Sequence, residues 1–456
     1  MKGKFIQYKT KFDIDPLTHM FQTTPVTFDE INTMNYIYKI LNRNFTYTPV
    51  NISGCNSPIE ISMYLKKMSK PYYIKKLRSL GGKISLKDCI LSTTSLSIVF
   101  TYLFEFIVDI KIPELLSAGD LLPEMKSMIN LRSLNIEKND LEDIDIKHVS
   151  KIPNLTFLNV SFNNLSFEGV REISNLTRLI SLDISHNYIG NIGSAEISKI
   201  ENGRLKMNNL ESLIICHNYI GPEGASEIAK MINLKTLDIA WNEIGRAGAE
   251  SIARLSKLTC LNVNWNSLGA GGAAEISKLT NLTSLNIGWN EIGLTGIRHI
   301  SKLTELCWLD ARWNSLGYMG AVEISKLTKL TSLNIDINTI GNIGASKIAT
   351  MKNLTFLNIG KNDIGDEGAK HISTMMGLKS LTLCYNNIGQ DGAVEIAKMT
   401  GKNLEELVIC SNDLGDEGAS RISEMSNLVY LDIRDNNLGI RGRNEVSKMN
   451  LQTLYI

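Results

Sequence analysis

An asparagine returns thirteen times along this chain, each time inside the pattern L-x-x-L-x-[L/I/V/A]-x-x-N-x-[L/I]. It stands at Asn139, Asn163, Asn187, Asn218, Asn242, Asn266, Asn290, Asn314, Asn338, Asn362, Asn386, Asn412 and Asn436. Ten of the twelve steps are 24 residues; the step to Asn218 is 31 and the step to Asn412 is 26. A fixed period means that each unit is one supersecondary element, able to bury its apolar side only against its neighbours. The chain is therefore expected to form an α/β solenoid, with nearly all of residues 131–456 in repeats.

The unit Leu234–Leu255 shows the logic. Leu234, Leu237 and Ile239 have the spacing of inward residues on a short parallel strand, while Lys235, Thr236, Asp238, Ala240 and Trp241 interleave and face out. Asn242 ends the strand, where its amide can satisfy backbone groups that the turn leaves unpaired. Gly245 permits a tight turn. Ala249, Ile252 and Ala253, at i, i+3 and i+4, then give a short helix one narrow apolar face. The recurring G-x-x-G could suggest a phosphate cradle, but its return in every unit from Gly190 to Gly442 marks it as architecture.

The unit L-x-x-L-x-[I/V]-x-x-N-x-[I/L]-G-x-x-G-A-x-x-I-[S/A] resembles the GALA-type subclass of leucine-rich repeats, relatives of the ribonuclease-inhibitor class, over about residues 131–456. The resemblance implies a curved horseshoe, with parallel strands on the concave face and short helices on the convex face. It also implies a binding role toward protein partners. GALA-type repeats are often joined to an F-box, so a substrate receptor of a ubiquitin ligase is a second reading, with that motif in residues 1–120. An F-box normally opens on Leu-Pro and carries a Trp; here the first Leu-Pro is Leu122-Pro123, and residues 1–120 hold no Trp. An inhibitor or regulator of a nuclease or small GTPase is a third reading, the GTPase case requiring an exposed arginine such as Arg312.

A solenoid needs terminal units that cover its open core. Residues 1–102 read as an N-terminal cap or small helical domain, with capping boxes at Thr27–Glu30 and Ser57–Glu60 opening helices. Leu103, Phe106 and Val108 stand 28 residues before Leu131, Leu134 and Ile136, which predicts a degenerate first repeat over 103–130. Thirteen repeats follow over 131–450 and a half repeat over 451–456, whose open edge could pair weakly with a second copy. The seven extra residues near Ile200–Lys206 suggest a longer convex helix, and the two near Thr400–Lys402 a loop bulge.

Charge is balanced, with 48 Lys+Arg against 47 Asp+Glu, which argues against a nucleic-acid-binding face. Residues 1–16 lack a signal-peptide core, and the most apolar run, Ser97–Val108, is too short to span a membrane. Seven cysteines without paired spacing fit a reducing compartment, so the expected location is cytoplasmic. Cys384 and Cys410 share one column in adjacent repeats, close enough for mild oxidant to bridge what the cell keeps as thiols.

The residue before each Asn forms a column expected on the concave face. It includes Phe162, His186, His217, Trp241, Trp265, Trp289 and Trp313; the fifth tryptophan, Trp308, lies on the same strand as Trp313. Asp310 and Arg312 stand beside it. Tryptophan is large, stiff and enriched among interface hot spots. These ten residues are the candidate partner-binding site; stiffening of the array and a small-ligand groove are the rival readings. His186, His217 and Cys216 are too few for a metal centre, and no nucleophile–base, P-loop or dinucleotide motif occurs. The sequence thus points to a non-enzymatic protein-recognition scaffold with no cofactor.

Overall fold

The computed structural model describes residues 103–112, 122–123, 125–401 and 403–456, together with 50–51, 71, 74–75, 84–86 and 99. The helices expected after the two N-terminal capping boxes lie outside the described residues. The chain forms two compact units, residues 1–111 and 112–456. In the first, Val50–Asn51, Ile84–Leu86 and Ile107–Lys111 pair as successive parallel strands.

In the second, among the described residues, fourteen parallel strands from Ser133–Asn135 to Thr453–Tyr455 alternate with thirteen helices from Asp143–Val149 to Ile440–Ser447. Each strand pairs with those of the adjacent repeats, and the central leucines stay in register: Leu237 faces Leu213 and Leu261, and Leu285 faces Leu261 and Leu309. Most strands are only three residues long, so the sheet ends well before each conserved Asn. Leu234, Leu237, Ile239, Ile244, Ala249 and Ile252 are all fully buried, giving one continuous apolar core between sheet and helices. Gly248 shows why the helix needs small residues: a Cβ there would stand 2.5 Å from Cβ of Ile244 and 3.1 Å from Ala225 of the preceding helix.

The Asn column ties each repeat to the one before it. Asn290 Oδ1 accepts from the N–H of Asn266 (3.0 Å) and of Leu268 (3.2 Å). Its Nδ2 donates to Val263 O (2.8 Å) in that repeat and to Ile287 O and Gly288 O in its own. One buried amide therefore satisfies five backbone groups at a turn where sheet pairing has stopped.

Two expectations change. The seven extra residues form an antiparallel hairpin, Ile200–Glu201 with Arg204–Leu205, and the helix before it, Gly190–Ile197, keeps its usual length. Asn202-Gly203 occupies the turn with φ of 52° and 75°, the geometry that Asn-Gly favours in two-residue hairpins. Strand register survives, Leu182 still facing Leu213, but Asn218 Oδ1 is buried without a partner. At the start of this unit, Ile112 rather than Val108 takes the place 24 residues before Ile136. Its N–H donates to Asn135 O (2.8 Å), and its carbonyl accepts from Asn139 Nδ2 (2.7 Å). The two residues added near Thr400 do form a loop, closed by Gly401 N–H on Asn427 Oδ1 (3.0 Å).

Removing the Asn290 amide strands buried backbone groups, so Asn290→Ala should cost about 1–3 kcal/mol. Asn218→Ala should cost less, because its carbonyl oxygen already lacks a donor. Equal shifts of the denaturant midpoint in the two variants would contradict this account of the ladder.

Candidate partner-binding surface

The column before each Asn lies beyond the strand, on a bend. Its residues all adopt left-handed backbone: φ is 54° at Trp241, 55° at Trp265, 53° at Trp289, 54° at Trp313 and 55° even at β-branched Ile337. Large L-residues avoid this region because Cβ crowds the following carbonyl. The neighbouring repeat enforces it: Trp241 N–H donates to Asn264 O (2.9 Å), Trp265 N–H to Gly288 O (3.0 Å) and Trp289 N–H to Arg312 O (3.0 Å).

One conformation repeated at one spacing makes the side chains stack. Centroids of Phe162 and His186 are 3.8 Å apart, those of His186 and His217 4.2 Å, and those of His217 and Trp241 4.8 Å. The tryptophans continue at 4.2, 4.5 and 3.8 Å to Trp313, with only the Trp265–Trp289 step tilted. Seven rings thus form one ribbon, and Lys138 Nζ sits 5.6 Å from the Phe162 ring at its end. Ring faces are consumed by neighbouring rings while edges stay open: Trp241, Trp265 and Trp313 remain about 40% exposed. Among the described residues, the indole N–H groups of these four tryptophans make no hydrogen bond.

The histidines are members of the ribbon rather than solvated residues beside it. Burial in the stack, and then the neighbouring His217, lower the His186 pKa to about 4; burial lowers that of His217 as well. Trp308 lies on its strand between Ser284 and Ser332, half-buried and outside the stack.

On the strand side of the ribbon runs a column of short polar residues. Asp238, Asn262, Asp310 and Asn334 each accept, through Oδ1, from the N–H two residues on. Asn262 Nδ2 also donates to Asp238 Oδ2, and Asn334 Nδ2 to Asp310 Oδ2, both at 2.9 Å. Burial raises the Asp183 pKa to about 6 against the opposing bonds from Ser185. Burial likewise raises Asp336 to about 6, although Lys361 and Arg312 oppose it. Asp310 is fully buried and its pKa is raised for the same reason, while Arg312 opposes the shift from 3.2 Å. Arg312 leans over Gly288, where a Cβ would meet its Cγ and Asn264 Oδ1, each at 3.1 Å. Arg312 is thus ion-paired with Asp310, although its buried Nε makes no hydrogen bond. Cys384 and Cys410, further along the same face, are joined by a disulfide with Cα atoms 4.7 Å apart; Cys216 and Cys307 are free thiols.

The Leucine Rich repeat family matches residues 151–174, 206–229, 230–253, 254–277, 278–301, 326–349, 350–373 and 402–423. The second unit is a leucine-rich-repeat solenoid. An internalin of Listeria monocytogenes is similar in fold, with a TM-score of 0.52 and 22% identity over 77% of this chain and 88% of that one. A leucine-rich-repeat protein of Leptospira interrogans gives a TM-score of 0.48 and 17% identity, covering 89% of this chain and 100% of its own. No curated protein sequence matches the chain. Leucine-rich repeats are in general protein-interaction scaffolds. Among the described residues, no group of three or more metal-ligating side chains occurs, and no helix is long and apolar enough to cross a membrane.

Two measurements check this surface. The His186 imidazole should titrate near pH 4 by NMR. Its folded pKa lies below the ordinary value of about 6.5, so the unfolded chain binds more protons and this residue's contribution to stability rises with pH from about 4 to 6.5. A midpoint near 6.5 would show that the ring is not held in the stack. Under non-reducing conditions peptide mapping should recover the Cys384–Cys410 cross-link, and mild reductant should release it; a map that never yields it would mean that the two strands are not in this register.

Proposed function

We propose that the protein is a non-enzymatic recognition scaffold that holds a protein partner on the aromatic ribbon from Phe162 to Trp313. The observation that carries this reading is the combination of seven stacked rings, open ring edges and left-handed backbone at every step. Each left-handed residue costs about 1–2 kcal/mol, and each stacked pair returns about 0.5–1.5 kcal/mol. Stacking therefore offsets part of the strain that the Asn ladder imposes, and the result is a rigid, flat, amphipathic strip. Rigid aromatic surface loses little side-chain entropy on binding, which suits it to a hot-spot role. Sugar stacking and cation capture both need free ring faces, and in this ribbon the faces lie against one another.

The repeat itself reads as GALA-type, from Gly248 and Ala249 at the helix contact and their equivalents in other units. We place the protein in the cytoplasm, where the free thiols of Cys216 and Cys307 are at home and the Cys384–Cys410 bond would open.

The test compares proximity labelling in the native cell for wild type and two variants. Trp265→Ala removes two stacking contacts, so it should lower stability by about 1–3 kcal/mol and weaken partner capture at least tenfold, as hot-spot truncation does. Trp265→Phe keeps a ring in the ribbon but shortens its open edge; it should recover most of the stability and only part of the capture. If Trp265→Ala lowers stability while the labelled set stays the same, the ribbon only stiffens the solenoid and the reading fails.

A further inference from the structure

The chain is close to neutral overall, but the surface around the ribbon is not. In the columns two residues after the rings, Glu243 and Glu291 are exposed beside Trp241 and Trp289. In the column three residues before the rings stand Asp183, before His186, and Asp238, before Trp241, each half-buried. Carboxylates therefore border the ribbon on both sides. The cation nearest its centre, Arg312, is held by Asp310. Ring edges provide apolar contact between two acidic margins.

Resting on the reading that the ribbon is a docking surface, we propose that its occupant is a cationic, extended segment of the protein partner. Arginine and lysine carry long apolar stems that can lie across ring edges while their heads remain with anionic groups. Glu243 and Glu291 are two repeats apart, about 10 Å at the spacing of adjacent strands, and an extended chain of polyproline-II type, with three residues per turn and about 3.1 Å per residue, brings its residues i and i+3 onto one face about 9 Å apart. The segment that fits carries basic residues at i and i+3. Opposed charge of this kind steers encounter and weakens with salt.

The probe is a synthetic peptide of about ten residues with arginine at every third position in a glycine–serine background; the control carries glutamate instead. Titration into the full chain at neutral pH is followed by tryptophan fluorescence, since four of the five tryptophans lie in the ribbon. The arginine peptide should produce a saturable change that weakens at least tenfold in Glu243→Gln/Glu291→Gln and weakens with added salt; the glutamate peptide should produce none. Both substitutions sit at exposed positions and should leave the near-ultraviolet circular dichroism unchanged. Equal responses to the two peptides, no response to either, or full affinity in the double variant would overturn the proposal. If the arginine peptide is ignored while partner capture still depends on Trp265, the cationic segment is wrong and the docking surface stands; if capture is independent of Trp265, the docking surface itself is wrong.

Discussion

Everything distinctive in this solenoid follows from a side-chain amide that stands in for a strand. Sheet pairing stops at residues such as Asp238 and Asn286, after three residues, yet the chain must still cross the edge of the core before its helix begins. Some buried N–H groups on that crossing, such as those of Asn266 and Leu268, have no backbone carbonyl to pair with, and leaving them bare is expensive. In most repeats the Asn binds them from both sides, as Asn290 does with its oxygen on two N–H groups of the previous unit and its nitrogen on carbonyls of both units; at Asn218 and Asn436 the nitrogen alone does so. The geometry that permits this puts the preceding residue into left-handed backbone.

That constraint links architecture to surface. A position that must be left-handed in every unit points its side chain the same way in every unit, about one strand spacing apart. Glycine or asparagine would be the low-strain choice. This chain instead places Phe, His and Trp there in seven consecutive units, and the rings stack. Outside that span the column holds Lys138, Ile337, Lys361, Tyr385, Ser411 and Asp435, five of the six not aromatic, so the ladder itself does not need aromatic residues. The aromatic run is an addition to the fold.

The fold was legible in the sequence because its period is exact over most of the chain and its apolar positions are strict. The tryptophan column was legible for the same reason. Its conformation was not, because alternation along a strand carries no sign that the strand stops three residues before the column. His186 and His217 were placed in the column by the repeat, but their stacking was not legible: next to tryptophan they read as polar surface until their rings are seen in line. The hairpin was announced by Asn202-Gly203, which was outweighed by the coincidence that seven residues make two helical turns. One further signal was readable in retrospect. Asn191, Asp366 and Asp416 each accept from two N–H groups at the start of the next helix, through Gly221 and Gly224, Gly389 and Gly392, and Gly439 and Gly442. In those units the turn glycine leaves the left-handed region, as at Gly221 with φ −94°, because a carboxylate or amide from the repeat before has taken over the cap.

The central claim is that the Asn ladder sets the backbone which stacks the rings. Indoles within about 5 Å of one another couple excitonically, so the far-ultraviolet circular dichroism of the native chain should carry a tryptophan couplet. Asn266→Ala, behind Trp241 and Trp265, should diminish that couplet in a chain that still shows native helix content. Asn412→Ala, distant from every tryptophan, should leave it intact. A couplet unchanged in Asn266→Ala would mean that the rings hold themselves in place and that the ladder does not govern the surface.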